Sequence, residues 1–294
     1  YLESQICPSK PGGMEMILRN RRKVLELLGE VDFYWHWPYD QGGCGCEQCS
    51  SPTGVRWGGK FLELGQVIAD LVREFNPQAK FILSTWLMDA EEHAMIEDLC
   101  RQGADWFDGV LYETHTLDDH PLPTLYERMV FPEISMFDCY FTSYGCNGAN
   151  PAPRRFAEQA RQTVRAGAGA APYSEGMYED INKITWSAIL WNPQRDIEDI
   201  VTEYAGYYLS AKNTGRAAEL IFELEDTWGA VKLRQVSPQK VKAIREGLDG
   251  LEADLPEMRT SRLRWQSLRD RAEIDWLMKQ IPTDEALIGE ARFL

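Results

Sequence analysis

The chain has 294 residues, 44% of them hydrophobic and ten of them tryptophan, which is ample for a large core and argues against disorder or a small module. Its formal net charge of −15 argues against nucleic acid as a partner, since nothing would neutralise phosphates. No apolar run approaches the roughly 18 residues a membrane span needs.

Tyr1 is not a methionine, and no charged-then-apolar signal segment precedes the first structured stretch. Either a leader has been removed or the chain is a piece of something longer; the strand count below favours the piece. A signal peptide upstream, and with it the compartment, stays open.

Residues 4–7 read as a short strand, followed by the breakers Pro8, Pro11, Gly12 and Gly13. Helical spacing of Ile17, Leu18, Val24, Leu27 and Leu28 predicts a helix over 14–28, closed by Gly29. An aromatic strand over 31–37 comes next and exits at Pro38, because proline cannot donate to a sheet ladder. Gly42, Gly43 and Gly45 then loosen a loop bearing three cysteines. Alternation continues with a helix over 60–75, a strand over 80–86, a helix over 90–101 and a strand over 109–115. A short strand over 133–137, a helix over 153–166 and a last strand over 169–173 complete the series.

Alternating strands and helices call for parallel strands and right-handed crossovers. Buried strands with single polar groups at their C-terminal ends point to an α/β fold of the (β/α)8 TIM-barrel type. Six strands are legible rather than eight, so residues 1–192 are expected to be strands three to eight of such a barrel. Beyond residue 180 the pattern is wholly helical. Segment 180–191 reads as the last barrel helix, and 193–294 as a helical appendage with Ser237-Pro238 capping one of its helices. No Gly-x-Gly-x-x-Gly or P-loop follows any strand.

Working residues of such a barrel sit at the strand ends. The candidates there are Asp40 with Trp37 and Tyr39; Trp86 and Asp89; Tyr112, Glu113 and His115; and Tyr173, Glu175, Glu179 and Asp180. Carboxylates and aromatic rings converging on one mouth are the ingredients of glycoside hydrolysis, in which one acid protonates the leaving oxygen and another acts as base or nucleophile. Glu179 and Asp180 read equally as acids favoured at a helix N-terminus. His36 reads as a satisfied barrel residue, and His93 and His120 as solvated.

Seven cysteines cannot all pair within one chain. Cys100 falls in a helical pattern and reads as core. Cys44-x-Cys46-x-x-Cys49 could bind a structural zinc with Cys7 as fourth ligand, or could form disulfides. Adjacent parallel strands set their exit loops side by side, so Cys7 is expected close to the 44–49 loop. No other cofactor is implied.

The segment Trp-Pro-Tyr-Asp40-Gln-Gly-Gly-Cys-x-Cys-x-x-Cys49 resembles the Asn-Asp-x-Gly-Gly-x-Cys-x-Cys-x-x-Cys segment of an uncharacterised bacterial family. That family is itself similar to the family 20 β-hexosaminidases and the α-glucuronidases. Glu175 through Pro193, and then Asp196 to Tyr208, is similar to the last barrel helix and following segment of those proteins. The resemblance implies a TIM-barrel glycosidase and places Asp40 where that superfamily puts a catalytic or substrate-binding acid. The hexosaminidases carry an adjacent Asp-Glu pair there, whereas Asp40 is followed by Gln41. An acid–base pair drawn from different strands, as in the α-glucuronidases, fits better.

The expected function is hydrolysis of a non-reducing-end sugar, with Asp40, Glu113 and Glu175 as acids. Trp37, Tyr39, Trp86, Asp89, Tyr112, His115, Tyr173 and Glu179 would form the sugar subsite. The alternatives are a non-catalytic carbohydrate-binding barrel and a metal-dependent enzyme using the 44–49 loop.

Overall fold

The computed structural model describes residues 6–38, 43–50, 57–113, 125–132, 134, 150–167, 169–174, 179–255 and 262–281. The chain is mixed α/β and divides into two compact units, Tyr1–Phe131 with Gly167–Ala171, and Pro132–Ala166 with Pro172–Leu294.

Unit one holds helices α1 (Gly13–Leu28), α2 (Gly58–Phe75) and α3 (Ala90–Arg101) and a five-stranded sheet. Its strands are β1 (Phe33–His36), β2 (Lys80–Ser84), β3 (Gly109–Glu113), β4 (Glu127–Phe131) and β5 (Gly169–Ala170). They lie in sequence order, each parallel to its neighbour. The closed barrel expected from the sequence is not formed: among the described residues β1 pairs only with β2, and β5 only with β4, so the sheet is open.

Two predicted strands are not seen among the described residues. Residues 6 and 7 are irregular and lead into a turn in which Lys10 N–H donates to the Cys7 carbonyl at 3.3 Å. Of the stretch 133–137 only Ile134 is described, and it lies in a turn. The strand of that region is β4, hidden in the sequence by Glu127 and Arg128. Those charges are tolerated because strand side chains alternate between faces, and Glu127 forms an ion pair with Lys80 of β2.

The two faces of the sheet differ. On one, His36 stacks on Phe61 of α2 at 4.1 Å, Tyr34 stacks on Phe81 at 5.4 Å, and Tyr112 stacks on His93 of α3 at 5.9 Å. This is the apolar seam between sheet and helices, closed by Ile68, Val72, Leu83 and Val110, all almost wholly buried. Burial also pushes the His36 imidazole down to about 4, despite its Nε2 lying 3.2 Å from the Phe61 carbonyl. His36 is thus the satisfied core residue its setting predicts. His93, expected in solvent, is buried here, because Tyr112 offers it a ring to stack on. The opposite face carries Phe33, Trp35, Lys80, Ile82, Gly109, Leu111 and Glu127 by register. Phe33 and Trp35 remain exposed there.

Gly109 is a necessity of that face. A Cβ on it would stand 2.6 Å from the Glu127 carbonyl oxygen and 3.0 Å from the Ile82 Cδ1. Its neighbours close over it, and the Lys80–Glu127 ion pair spans β3.

Unit two is helical. It comprises α4 (Pro153–Arg165), α5 (Asp180–Trp191), α6 (Ile197–Tyr204) running into a π-helical turn (Ala205–Leu209), α7 (Thr214–Asp226), α8 (Gly229–Gln235), α9 (Pro238–Glu252) and α10 (Leu263–Gln280). Helix α4 packs on α5, and α9 on α10. Pro153 opens α4, and its unpaired backbone donors are met from another helix: the buried Glu225 carboxylate of α7 accepts from Arg154 and Arg155 N–H at 3.1 and 3.0 Å. A buried polar knot lies at the centre of the unit. Arg271 donates to Asp275 at 3.2 Å, to the Asn150 side chain at 3.0 Å and to the Leu224 carbonyl at 3.2 Å. Thr227 donates to Asp275 at 2.6 Å. Ser237 caps α9 as expected, accepting from Lys240 N–H at 3.2 Å.

Candidate functional site

The C-terminal ends of β1 to β4 bring three rings and a carboxylate together. Trp37 follows β1, Trp86 lies two residues past β2, Glu113 ends β3 and Phe131 ends β4. Phe131 meets Trp37 at 4.6 Å edge-on and Trp86 at 5.8 Å, while Trp37 and Trp86 are 6.2 Å apart. Outer strands of a flat four-stranded stretch stand about 14 Å apart. Rings from β1 and β4 in contact therefore lie inward over the strands between them. All three rings are half-buried, leaving ring surface to solvent.

Glu113 is half-buried at the same edge, and Leu87 N–H approaches its Oε1 at 3.4 Å. Leu87 has φ +61°, a left-handed conformation that costs a branched side chain on the order of 1 kcal/mol or more. It is the one non-glycine residue with positive φ among those described. Strain of this kind persists only where surrounding contacts hold it, and here it aims a backbone donor at the carboxylate.

The second constellation is the cysteine cluster. The Sγ atoms of Cys7, Cys44, Cys46 and Cys49 all lie within 4.8 Å of one another, so Cys7 stands close to the 44–49 loop as expected, although residues 6 and 7 are irregular rather than the end of a strand. Cys7 Sγ stands 3.7 Å from Cys46 Sγ and 3.6 Å from Cys49 Sγ. These separations match the roughly 3.8 Å edge of a tetrahedron with 2.3 Å metal–sulfur bonds, and are far from the roughly 2.05 Å of a disulfide. The cluster is a candidate structural metal site, and its four cysteines are free thiols. A turn builds it: Cys49 and Ser50 N–H both donate to the Cys46 carbonyl, at 2.9 and 2.8 Å.

The thiols are not equivalent. Burial works against the Cys46 thiolate, but the Gln48 N–H and the neighbouring Cys44 and Cys49 thiols stabilise it and bring it down to about 6. Burial pushes Cys49 up to about 12, although Ser9 Oγ lies 3.2 Å from its sulfur. Both cysteine segments are tightly seated. A Cβ on Gly13 would lie 2.0 Å from the Cys7 carbonyl oxygen, and one on Gly43 would lie 2.3 Å from the Trp57 Cβ. Beside the cluster is a cavity of about 430 Å³, walled by Trp37, Pro38, Cys44, Cys49, Trp57 and Lys60 among others.

Other predicted site residues are placed differently. Asp40, Tyr39, His115 and Glu175 lie outside the described residues. Tyr112 points away from Glu113, as neighbouring strand residues must, and is buried against α3, so it is no part of the strand-end cluster. Burial holds its phenol well above the usual range. Asp89 caps α3: its Oδ1 accepts from Glu91 and Glu92 N–H at 3.1 and 3.0 Å, and Glu92 answers by accepting from Asp89 N–H. Tyr173 lies in unit two, its backbone bonded to Pro132 and Ile134. Glu179, also in unit two, is buried. Its Oε2 accepts from Ser174 Oγ at 2.8 Å, and its Oε1 has no hydrogen-bond partner among the described residues. Burial raises its carboxyl to about 7, against the pull of Ser174 and Lys183. Asp180, the first residue of α5, accepts from Tyr204 Oη at 2.9 Å and pairs with Arg264. Cys100 is buried core as expected.

Phe131 was not singled out by sequence, yet it carries the same signal as Trp37: a ring immediately before a strand-ending proline, here Pro132. No family model matches the chain, and no curated protein or solved structure matches it. Among the described residues no helix is long and apolar enough to cross a membrane.

Proposed function

We propose that the chain is a carbohydrate-active protein of the glycoside hydrolase type, acting on a non-reducing-end sugar at the C-terminal edge of its sheet. The observation that carries this reading is the convergence of Trp37, Trp86 and Phe131 beside Glu113 at the ends of successive parallel strands. Sugars present apolar C–H faces that stack on such rings, and a carboxylate among them binds hydroxyls or moves a proton to the leaving oxygen. Hydrolysis requires a second acid, and Asp40, which follows β1 in the sequence of the same unit, would supply it. The curvature that lets rings of β1 and β4 meet suits a barrel wall, and supports the barrel kinship drawn from the cysteine-loop motif. A non-catalytic sugar-binding protein is the second reading, favoured by Glu113 standing as the single acid beside the rings among the described residues.

In the same reading Cys7, Cys44, Cys46 and Cys49 would hold a structural zinc. Four protein sulfurs close a tetrahedral site and leave no open position for water or substrate, unlike a catalytic zinc site.

Both sugar readings are tested on aryl and methyl glycosides of glucose, N-acetylglucosamine and glucuronic acid. Replacement Glu113→Gln keeps the shape and removes proton transfer. A hydrolase loses turnover by about 100-fold or more with binding retained; a binding protein shows no turnover in either form. Full activity in the variant would dismiss Glu113 as the acid. A chain that neither binds nor cleaves any of them would dismiss the sugar site.

A further inference from the structure

We infer that metal held by the four cysteines positions the aromatic platform, because the sheet stops one residue short of Trp37. The inference rests on the sugar-site reading for its purpose and on the cysteine geometry for its substance.

The paired register of β1 with β2 ends at His36. Trp37 and Pro38 thus lie past the last paired residue, and the next described residues, Gly43 to Ser50, carry three of the four cysteines. Trp37, Pro38, Gly43, Cys44 and Cys49 wall the same cavity. The remaining cysteine, Cys7, comes from a separate segment wedged against the start of α1 by the close approach at Gly13. Four sulfurs within 4.8 Å of one another, two of the pairs at tetrahedral spacing, therefore join two stretches that no strand pairing connects among the described residues: the segment before α1 and the loop leaving β1.

Without metal, four thiols crowd a small volume, and the hydrogen bonds between the two stretches among the described residues are weak ones to sulfur, from Cys7 and Ser9. With metal, the loop is cross-linked to α1 at one end and seated on Trp57 at the start of α2 at the other. Trp37 then shares a cavity with a fixed loop and meets Phe131 and Trp86 through its ring. Lys60 lines the same cavity and brings positive charge towards a tetrathiolate site that stays net negative when loaded. The metal touches no sugar in this arrangement; its role is to fix where one ring of the platform stands.

The test uses the full chain purified under reducing conditions. Elemental analysis should give one zinc per chain, lost in Cys46→Ser and Cys7→Ser. Fluorine NMR of fluorotryptophan-labelled protein, with the Trp37 resonance assigned through Trp37→Phe, reports the ring directly. Chelation should broaden the Trp37 resonance or move it towards its unfolded position, leave that of the core residue Trp265 in place, and be reversed by zinc chloride. Affinity for a bound methyl glycoside should fall at least 10-fold in step. A chain that binds no zinc, whether its thiols titrate as free or are found as disulfides, overturns the inference. So does a zinc-loaded chain whose Trp37 resonance ignores chelation. A zinc-dependent Trp37 resonance with no glycoside bound by any form supports the metal's role and overturns the sugar reading alone. Chelation of the wild-type chain keeps the outcome clear even if the serine variants fold poorly.

Discussion

The polar knot around Arg271 and the ring cluster around Glu113 are opposite solutions for placing charge. In the helical unit Arg271 and Asp275 are almost fully buried, and each is ringed by hydrogen-bonding partners. At the strand ends a carboxylate stays half in solvent, beside rings that keep open surface and a backbone residue held in a strained conformation. The first arrangement is closed off from solvent. The second keeps ring surface and a carboxylate open to it, which is the setting a ligand site requires.

The sharpest way to break this contrast is to remove Arg271. Arg271→Met strands a buried Asp275 and should cost about 3–5 kcal/mol in urea unfolding, whereas the double variant with Asp275→Leu should recover much of it. A loss below about 1 kcal/mol would mean the knot is no structural keystone. Glu113→Gln should show the reverse signature: turnover down about 100-fold, with unfolding free energy changed by about 0.5 kcal/mol or less.

Glu179 offers a pH test of the same distinction within the helical unit. Its folded carboxyl is raised from 4.5 to about 7, so the fold favours the protonated form. Between these values the folded chain keeps a proton that the unfolded chain has released, and the Glu179 contribution to stability falls as pH rises through that window. Stability measured from pH 4 to 8 should decline more steeply in the wild type than in Glu179→Gln, by about 3 kcal/mol over the range. Parallel curves would show that its carboxyl titrates normally.

The smallest effect is expected at Trp86. Trp86→Ala should weaken glycoside binding about 10-fold while costing about 1 kcal/mol of stability or less, since its ring is only half-buried. The wholly buried Trp265 should cost about 3–5 kcal/mol on the same replacement. Equal losses at the two positions would mean the strand-end rings are ordinary core.

Periodicity alone reveals α2, α3, β2 and β3, because their apolar positions repeat at helix and strand spacing and each is buried against the next. It misses β4, where Glu127 and Arg128 interrupt the apolar run and only pairing with a distant Lys80 makes the charge tolerable. The same blind spot assigned Tyr112 to the site. Sequence adjacency to Glu113 suggested a shared mouth, but the two-residue alternation of a strand sends neighbours to opposite faces. The cysteine cluster was legible in outline from spacing; the cause expected for Cys7, a strand exit beside that of β1, is not what brings it there, since residues 6 and 7 are irregular. The left-handed Leu87 carries no mark of its own, and Phe131 only the proline that follows it; a ring contact between β1 and β4 and a backbone angle are properties of the folded sheet.

Gly109 gives the molecule a fingerprint that can be sought in other genomes. Because Ile82 and Glu127 close over it and the Lys80–Glu127 ion pair spans its strand, positions 80, 109 and 127 are bound into a single three-way constraint. Any chain sharing this sheet and gaining a side chain at 109 must push β4 aside, and so should lose the acid, the base or both in the same lineage. Covariation among these three positions, in whatever homologous sequences come to hand, would trace the ancestry of the sheet independently of the cysteines.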